Sequence, residues 1–176
     1  MYNRILAVTD GSDHAQKALV AAGQMAVRFQ SEVTVLNVFS TADVDEATLH
    51  MADVEHLVAG GEPTPADPAM ATASPLGTDT SYEAKKDGFM YRTAEEISHR
   101  IVDEGAAVVS KAGASQVVPV VRQGDPAEEI LEVARDEKAD LIVLGSRGLG
   151  TLKGLLMGSV SSKVNQHSHC DCLIVK

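Results

Sequence analysis

Five short, mostly apolar runs limit what this 176-residue chain can fold into: Ile5–Val8, Val33–Val38, Val117–Val121, Leu141–Leu144 and Cys172–Val175. Each is too short for a buried helix, and none shows the polar alternation of a strand with one face in water. The first, second and fourth runs mark strands covered on both faces, as in a parallel sheet with helices above and below. Between the first two runs, Ala15, Ala18, Leu19, Ala22, Met25, Ala26 and Phe29 recur at helical spacing. They form one apolar stripe. Strand, helix and strand in under forty residues make a βαβ unit, whose crossover is expected to be right-handed.

The later elements carry their own punctuation. Gly11 permits a tight turn after the first strand, and Ser12 is placed to cap a helix. Met90, Ala94, Ile97, Ile101 and Val108 predict a second helix. Pro119 cannot donate to a ladder, so its strand belongs at a sheet edge. Asp125-Pro126-Ala127-Glu128 reads as an N-cap, a proline at the first helical position and a glutamate placed for a capping box. Ile130, Leu131 and Ala134 supply that helix's apolar residues, and a short last helix starts at about Ser159. The expected fold is α/β and Rossmann-like, an open parallel five-stranded sheet of order 3-2-1-4-5 with helices on both faces. A crevice should open where the winding reverses, beyond the carboxyl ends of strands one and four.

One domain is expected over residues 1–176, interrupted by an acidic insertion at about 43–88. That segment holds ten acidic and two basic residues, four prolines and four glycines. A helix is possible from Asp45 to Val58; Gly60 to Gly88 lacks periodicity and predicts an exposed loop. Two roles fit it, a solvated insertion and a surface that docks an unknown protein partner.

The formal charge of −10 disfavours nucleic acid and anionic lipid as partners. No apolar stretch is long enough for membrane insertion, and the start, MYNRILAVTDGSD, does not read as a signal peptide, so a cytoplasmic protein is expected.

Against that charge, the stretch after the fourth strand, GSRGLGTLKGLLMGSVSSK, stands apart. Gly145, Gly148, Gly150, Gly154 and Gly158 leave amides uncovered, Arg147, Lys153 and Lys163 supply positive charge, and no acidic residue intervenes. A helix amino end at Ser159 favours an anion. A phosphate cradle is the reading that unites these features; a loop that is merely rich in glycine is the bland one. No lysine followed by Ser or Thr meets the Walker requirement, the dinucleotide fingerprint belongs after strand one where DGSD stands, and a receiver domain would need an aspartate where Arg122-Gln123-Gly124 stands.

At these residues the chain resembles the universal stress protein family of ATP-binding type. The family's pattern of Gly, two residues, Gly, nine residues, Gly and then Ser or Thr falls on Gly145, Gly148, Gly158 and Ser159. The resemblance covers residues 1–40 and about 89–176. It implies an ATP-binding regulatory or signalling protein in stress adaptation. Val8, Asp10 and Val38 would line the adenine and ribose end; Gly145, Arg147, Gly148 and Gly150 would follow the ribose and phosphates. Gly158, Ser159, Val160 and Ser161 would hold the phosphate tail, with Mg²⁺ or Mn²⁺ carried mainly by the phosphates. For Asp10 a turn-capping role stands as the alternative, and for Ser161 plain helix surface. The resemblance also implies a homodimer paired through the last strand, residues 172–176.

No catalytic residue is assigned, because the loop offers only Ser, Thr, Lys and Arg; the alternative function is a slow ATP hydrolase or phosphotransferase. His167, His169, Cys170 and Cys172 depart from the family's usual proline-containing text. Four soft-metal ligands within six residues raise zinc-like binding as a possibility, but ordinary thiols and solvated histidines at a helix end are the preferred reading.

Overall fold

The computed structural model describes residues 1–40, 80–149 and 157–176, with side chains described from residue 88 onward in the second stretch. The elements are β1 (Arg4–Val8), α1 (Asp13–Phe29), β2 (Glu32–Phe39), α2 (Thr80–Lys111), β3 (Val117–Gln123), α3 (Pro126–Asp136), β4 (Leu141–Gly145), α4 (Ser159–His167) and β5 (Asp171–Val175). The five strands form one sheet of order β3-β2-β1-β4-β5, and every pairing is parallel. This is the expected fold. Pro119 lies in the edge strand β3, where its missing donor costs least.

The strand residues sort by parity into two cores. Ile5, Ala7, Val33, Val35, Leu141 and Val143 pack with Ala18, Leu19, Ala22 and Ala26 of α1 and with Val102 and Val109 of α2. Leu6, Leu36, Ile142 and Leu144 point the other way, onto Ala127, Ile130, Val133 and Ala134 of α3 and Val164 of α4. Burial on both faces explains why β1, β2 and β4 lack alternation; the edge strands β3 and β5 are only half-buried or exposed. Helix α1 approaches α2 closely at Gly23, where an added Cβ would lie 2.6 Å from Ala112 Cβ and 2.7 Å from the Val109 carbonyl oxygen. Glycine is required there by packing.

The chain divides into two compact units, one of residues Met1–Phe39 and Ser98–Lys176 and one of Ser40–Ile97. The sheet and its core belong to the first. In the second unit the described part is Ser40 and the amino-terminal portion of α2, with Phe89, Thr93 and Ala94 buried.

The residues that predicted α2 do lie on a helix, but one expectation needs correction and the buried face was not anticipated. The loop expected to run to Gly88 gives way to helix at Thr80. The buried stripe is Phe89, Ala94, Ser98, Val102, Gly105 and Val109, whereas Met90, Ile97, Ile101 and Val108 are only half-buried. Gly105 explains the offset: an added Cβ there would lie 3.2 Å from Leu19 Cδ1 and Val35 Cγ1, so a residue with no side chain marks the face packed most tightly on the sheet. The expected helix at Asp45–Val58 and the loop up to residue 79 lie outside the described residues, as does Gly150.

Candidate functional site

Strands β1 and β4 are neighbours that lead to helices on opposite faces, so their carboxyl ends mark the winding reversal where a crevice was expected. The β1 end is locked by its own short side chains. Gly11 N–H donates to Thr9 Oγ1 at 3.2 Å, Ser12 N–H donates to Asp10 Oδ1 at 3.0 Å, and Ser12 Oγ accepts from Ala15 N–H at 3.3 Å to cap α1. Gly11 adopts φ +81°, the left-handed turn that its type suits. Across the crevice, Leu149 N–H donates to Asp10 Oδ2 at 3.0 Å. The Asp10 carboxylate therefore joins the β1 turn to the loop after β4.

The glycines after β4 differ in what requires them. A Cβ on Gly145 would lie 2.8 Å from His14 C and 2.9 Å from Ala15 N, in the backbone of the first turn of α1. A Cβ on Gly148 would run into the Asp10 carboxylate. At Gly158 the nearest atoms, Ser146 O, Arg147 Cα and Ser161 Oγ, would lie 3.5–3.6 Å away, which is ordinary contact. With φ −76° and ψ 164°, the Gly158 backbone also suits any residue. Among the described residues nothing demands glycine there, and the space it leaves lies between Ser146 and Arg147 of the β4 loop and Ser161 of α4.

Helix α4 differs from its siblings at its amino end. Ser12 caps α1 and Asp125 caps α3 by accepting from Glu128 N–H at 3.0 Å, while Gly158 gives α4 no side-chain cap. The first turn of α4 is instead anchored through Ser146, whose carbonyl accepts from Gly158 N–H at 2.8 Å and from Ser161 Oγ at 3.1 Å. Ser161 is buried, so it is not plain helix surface; its hydroxyl also bonds the Gly158 carbonyl at 3.0 Å. Ser159 is exposed and Val160 half-buried at the opening. In the β4 loop, Arg147 Nε is buried and has no hydrogen-bond partner among the described residues.

Lys163 has other commitments than an incoming anion. Its ammonium lies 3.2 Å from Asp125 Oδ1 and 3.2 Å from Glu128 Oε1, tying α4 to the cap of α3. These hydrogen bonds hold the Lys163 pKa above its ordinary value, while the Glu128 amide and then Lys163 hold the Asp125 carboxyl below its own. Glu128, expected to complete a capping box, spends its carboxylate on Lys163.

On the α3 and α4 side, Val8, Val38 and Val160 are half-buried against the core. They form the apolar part of the site. Sequence reasoning passed over Asn37, a buried polar residue in a strand, whose side-chain amide donates to the Thr9 carbonyl at 2.7 Å and fixes the β1 end. It also passed over Ser146. The signal for both was a polar residue within or directly after an apolar strand.

Among the described residues, no three His, Cys, Asp or Glu side chains gather at one point. Cys170 is engaged by Ser168, which accepts from Cys170 N–H at 3.1 Å and donates to its carbonyl at 2.8 Å. Burial, chiefly, pushes the Cys172 thiol pKa up. No helix among the described residues is long and apolar enough to cross a membrane.

The model of the universal stress protein family matches residues 1–176. This chain belongs to the universal stress protein family. Universal stress protein YxiE of Bacillus subtilis is 32% identical over 178 residues, covering 100% of both chains. The solved structure of MJ0577, a universal stress protein of Methanocaldococcus jannaschii, is 26% identical with a TM-score of 0.65, covering 100% of this chain and 96% of that one. A universal stress protein solved in complex with cAMP shares the fold at a TM-score of 0.61 and 24% identity, covering 99% of this chain and 96% of the other.

Proposed function

We propose that this universal stress protein binds ATP at the carboxyl ends of β1 and β4 and acts as a nucleotide-responsive regulator in stress adaptation. The observation that carries the reading is the amino end of α4. It has no side-chain cap, begins at a glycine that no described neighbour requires, and follows a loop in which Arg147 Nε is buried without a hydrogen-bond partner among the described residues. An anion seated there would gain from the aligned amides of the first turn and from Arg147 at once. Gly158, Ser159, Val160 and Ser161 would hold the phosphates; Gly145, Gly148 and Gly150 would carry the backbone past the ribose. Val8 and Val38 offer the adenine an apolar wall, and Asp10, through its bonds to Ser12 and Leu149, shapes the turn beside the ribose.

Mg²⁺ or Mn²⁺ would ride on the phosphates rather than in a protein cage. The cAMP complex of a protein with the same fold supports an adenine nucleotide as a ligand this architecture accepts. We also read the whole chain as one domain with an acidic insertion, located in the cytoplasm and paired as a homodimer. The half-buried Leu173, Ile174 and Val175 on the edge strand β5 support that pairing.

Equilibrium binding of ATP to purified protein, followed by a phosphate-release assay, tests the function. Saturable binding with negligible release is the expected outcome. Steady multiple turnover would establish an ATP hydrolase or phosphotransferase instead, and absence of binding would refute the reading.

A further inference from the structure

The base end of the cleft holds a cation that the phosphate reading leaves unused. Arg122 is the partner of Val38 in the β2–β3 register. Neighbours in a parallel register face the same side of the sheet, and successive residues alternate. Val38 and Val120 both pack on the α3 and α4 side, so Arg122, two residues after Val120, leaves the strand on the side of Val8 and Val38. It is exposed, and its guanidinium makes one long hydrogen bond, 3.4 Å from Nη1 to the carbonyl of Val121.

The spacing suits a nucleotide laid across the sheet. From β4, where the phosphates would sit, to β3 is three strand steps, roughly 14 Å at the usual inter-strand distance. A nucleoside triphosphate lying over β4, β1 and β2 brings its base to β3. The wall there is aliphatic: Val8, Val38 and Val120. Phe39, the aromatic residue at the end of β2, is buried. By register it alternates to the opposite face from Val38. Among the described residues a purine would therefore meet no aromatic ring on this wall, and the planar guanidinium of Arg122 is the π-stacking group the strand register supplies.

Resting on the nucleotide reading above, we propose that Arg122 is a base-recognition residue, its guanidinium laid against the purine ring whose other contacts are Val8 and Val38. The role depends on a flat, delocalised cation. Lysine carries the charge without the plane, so it should not substitute.

Calorimetry on the full chain and on Arg122→Ala and Arg122→Lys, each with ATP, adenosine and inorganic tripolyphosphate, tests this. Both variants should bind ATP and adenosine about fivefold more weakly than the parent, the range of an exposed stacking contact. Tripolyphosphate affinity should be unchanged, because that probe reaches only the α4 end. Unaltered adenosine affinity in Arg122→Ala overturns the proposal. Recovery of full affinity in Arg122→Lys, or an equal loss for tripolyphosphate, overturns it too, by showing that charge alone matters. If the parent chain binds neither ATP nor tripolyphosphate, the nucleotide reading fails before Arg122 is tested.

Discussion

Replacing Gly158 by alanine separates a glycine kept for a ligand from one kept for the fold. The new methyl would sit 3.5 Å from Ser146 O and 3.6 Å from Arg147 Cα and Ser161 Oγ, so no atom of the described residues has to move. Alanine is a poorer helix N-cap than glycine, by up to about 1 kcal/mol. It also restricts the unfolded chain, which returns about 0.4–1 kcal/mol. The two nearly offset, and for a chain of this length Tm should change by less than about 4 °C. The methyl nevertheless occupies the space between the β4 loop and the first turn of α4. A phosphate displaced from even one amide loses a charge-assisted hydrogen bond of about 1.5–3 kcal/mol. ATP affinity should therefore fall roughly tenfold to a hundredfold. Thermal melts without ligand and calorimetry with ATP read the two quantities independently. A variant that melts like the parent and also binds ATP like the parent would refute the reasoning, since the phosphates would then lie elsewhere.

The opposite pattern is expected at Gly145. There the methyl meets the backbone of His14 and Ala15 at 2.8–2.9 Å, so Gly145→Ala should lose about 1–3 kcal/mol and melt lower even without nucleotide. Gly23→Ala should destabilise comparably in urea titrations by forcing α1 away from Ala112 and the Val109 carbonyl, with ATP affinity per folded molecule unchanged. On the acid side, hydrogen bonds from Arg4 and Asn3 amides hold the Asp140 carboxyl below the ordinary aspartate range, as the Glu128 amide and Lys163 do for Asp125. A depressed folded pKa contributes stability that is complete above the unfolded value near about 3.9 and disappears as pH falls through the folded one. The double variant Asp125→Asn, Asp140→Asn should accordingly show a flatter loss of stability below about pH 4 in chemical denaturation. An unchanged acid limb would assign that loss to other carboxylates.

The sheet was legible because burial on both faces leaves an unmistakable trace: no position in β1 or β4 needs to be polar, so the runs read as unbroken. Pro119 at the edge and the Asp125-Pro126 helix start were equally plain, each a local chemical constraint with one structural solution. The face of α2 was harder. Its apolar residues lie on more than one side, and its buried residues include Ser98 and Gly105, small residues that carry no hydrophobic signal; Gly105 meets Val35 of β2. Close packing is written in volume, and a pattern of hydrophobicity does not record volume.

At the candidate site the sequence marked a loop but could not apportion its residues. Lys163 counted toward a positive loop, yet a neighbour distant in sequence, the Asp125 cap of α3, takes its ammonium. Asp10 could be weighed as turn residue or ligand contact, and its two carboxylate oxygens accept from Ser12 and Leu149. The glycine pattern likewise concealed two purposes. Gly145 and Gly148 are glycine because α1 and Asp10 come too close, a requirement internal to the protein. Gly158 meets no such neighbour. Among the described residues, the absence of a structural demand at Gly158, at a helix start with no side-chain cap and after a loop whose Arg147 Nε has no partner, is therefore a stronger pointer to a bound anion than the abundance of glycine in the loop.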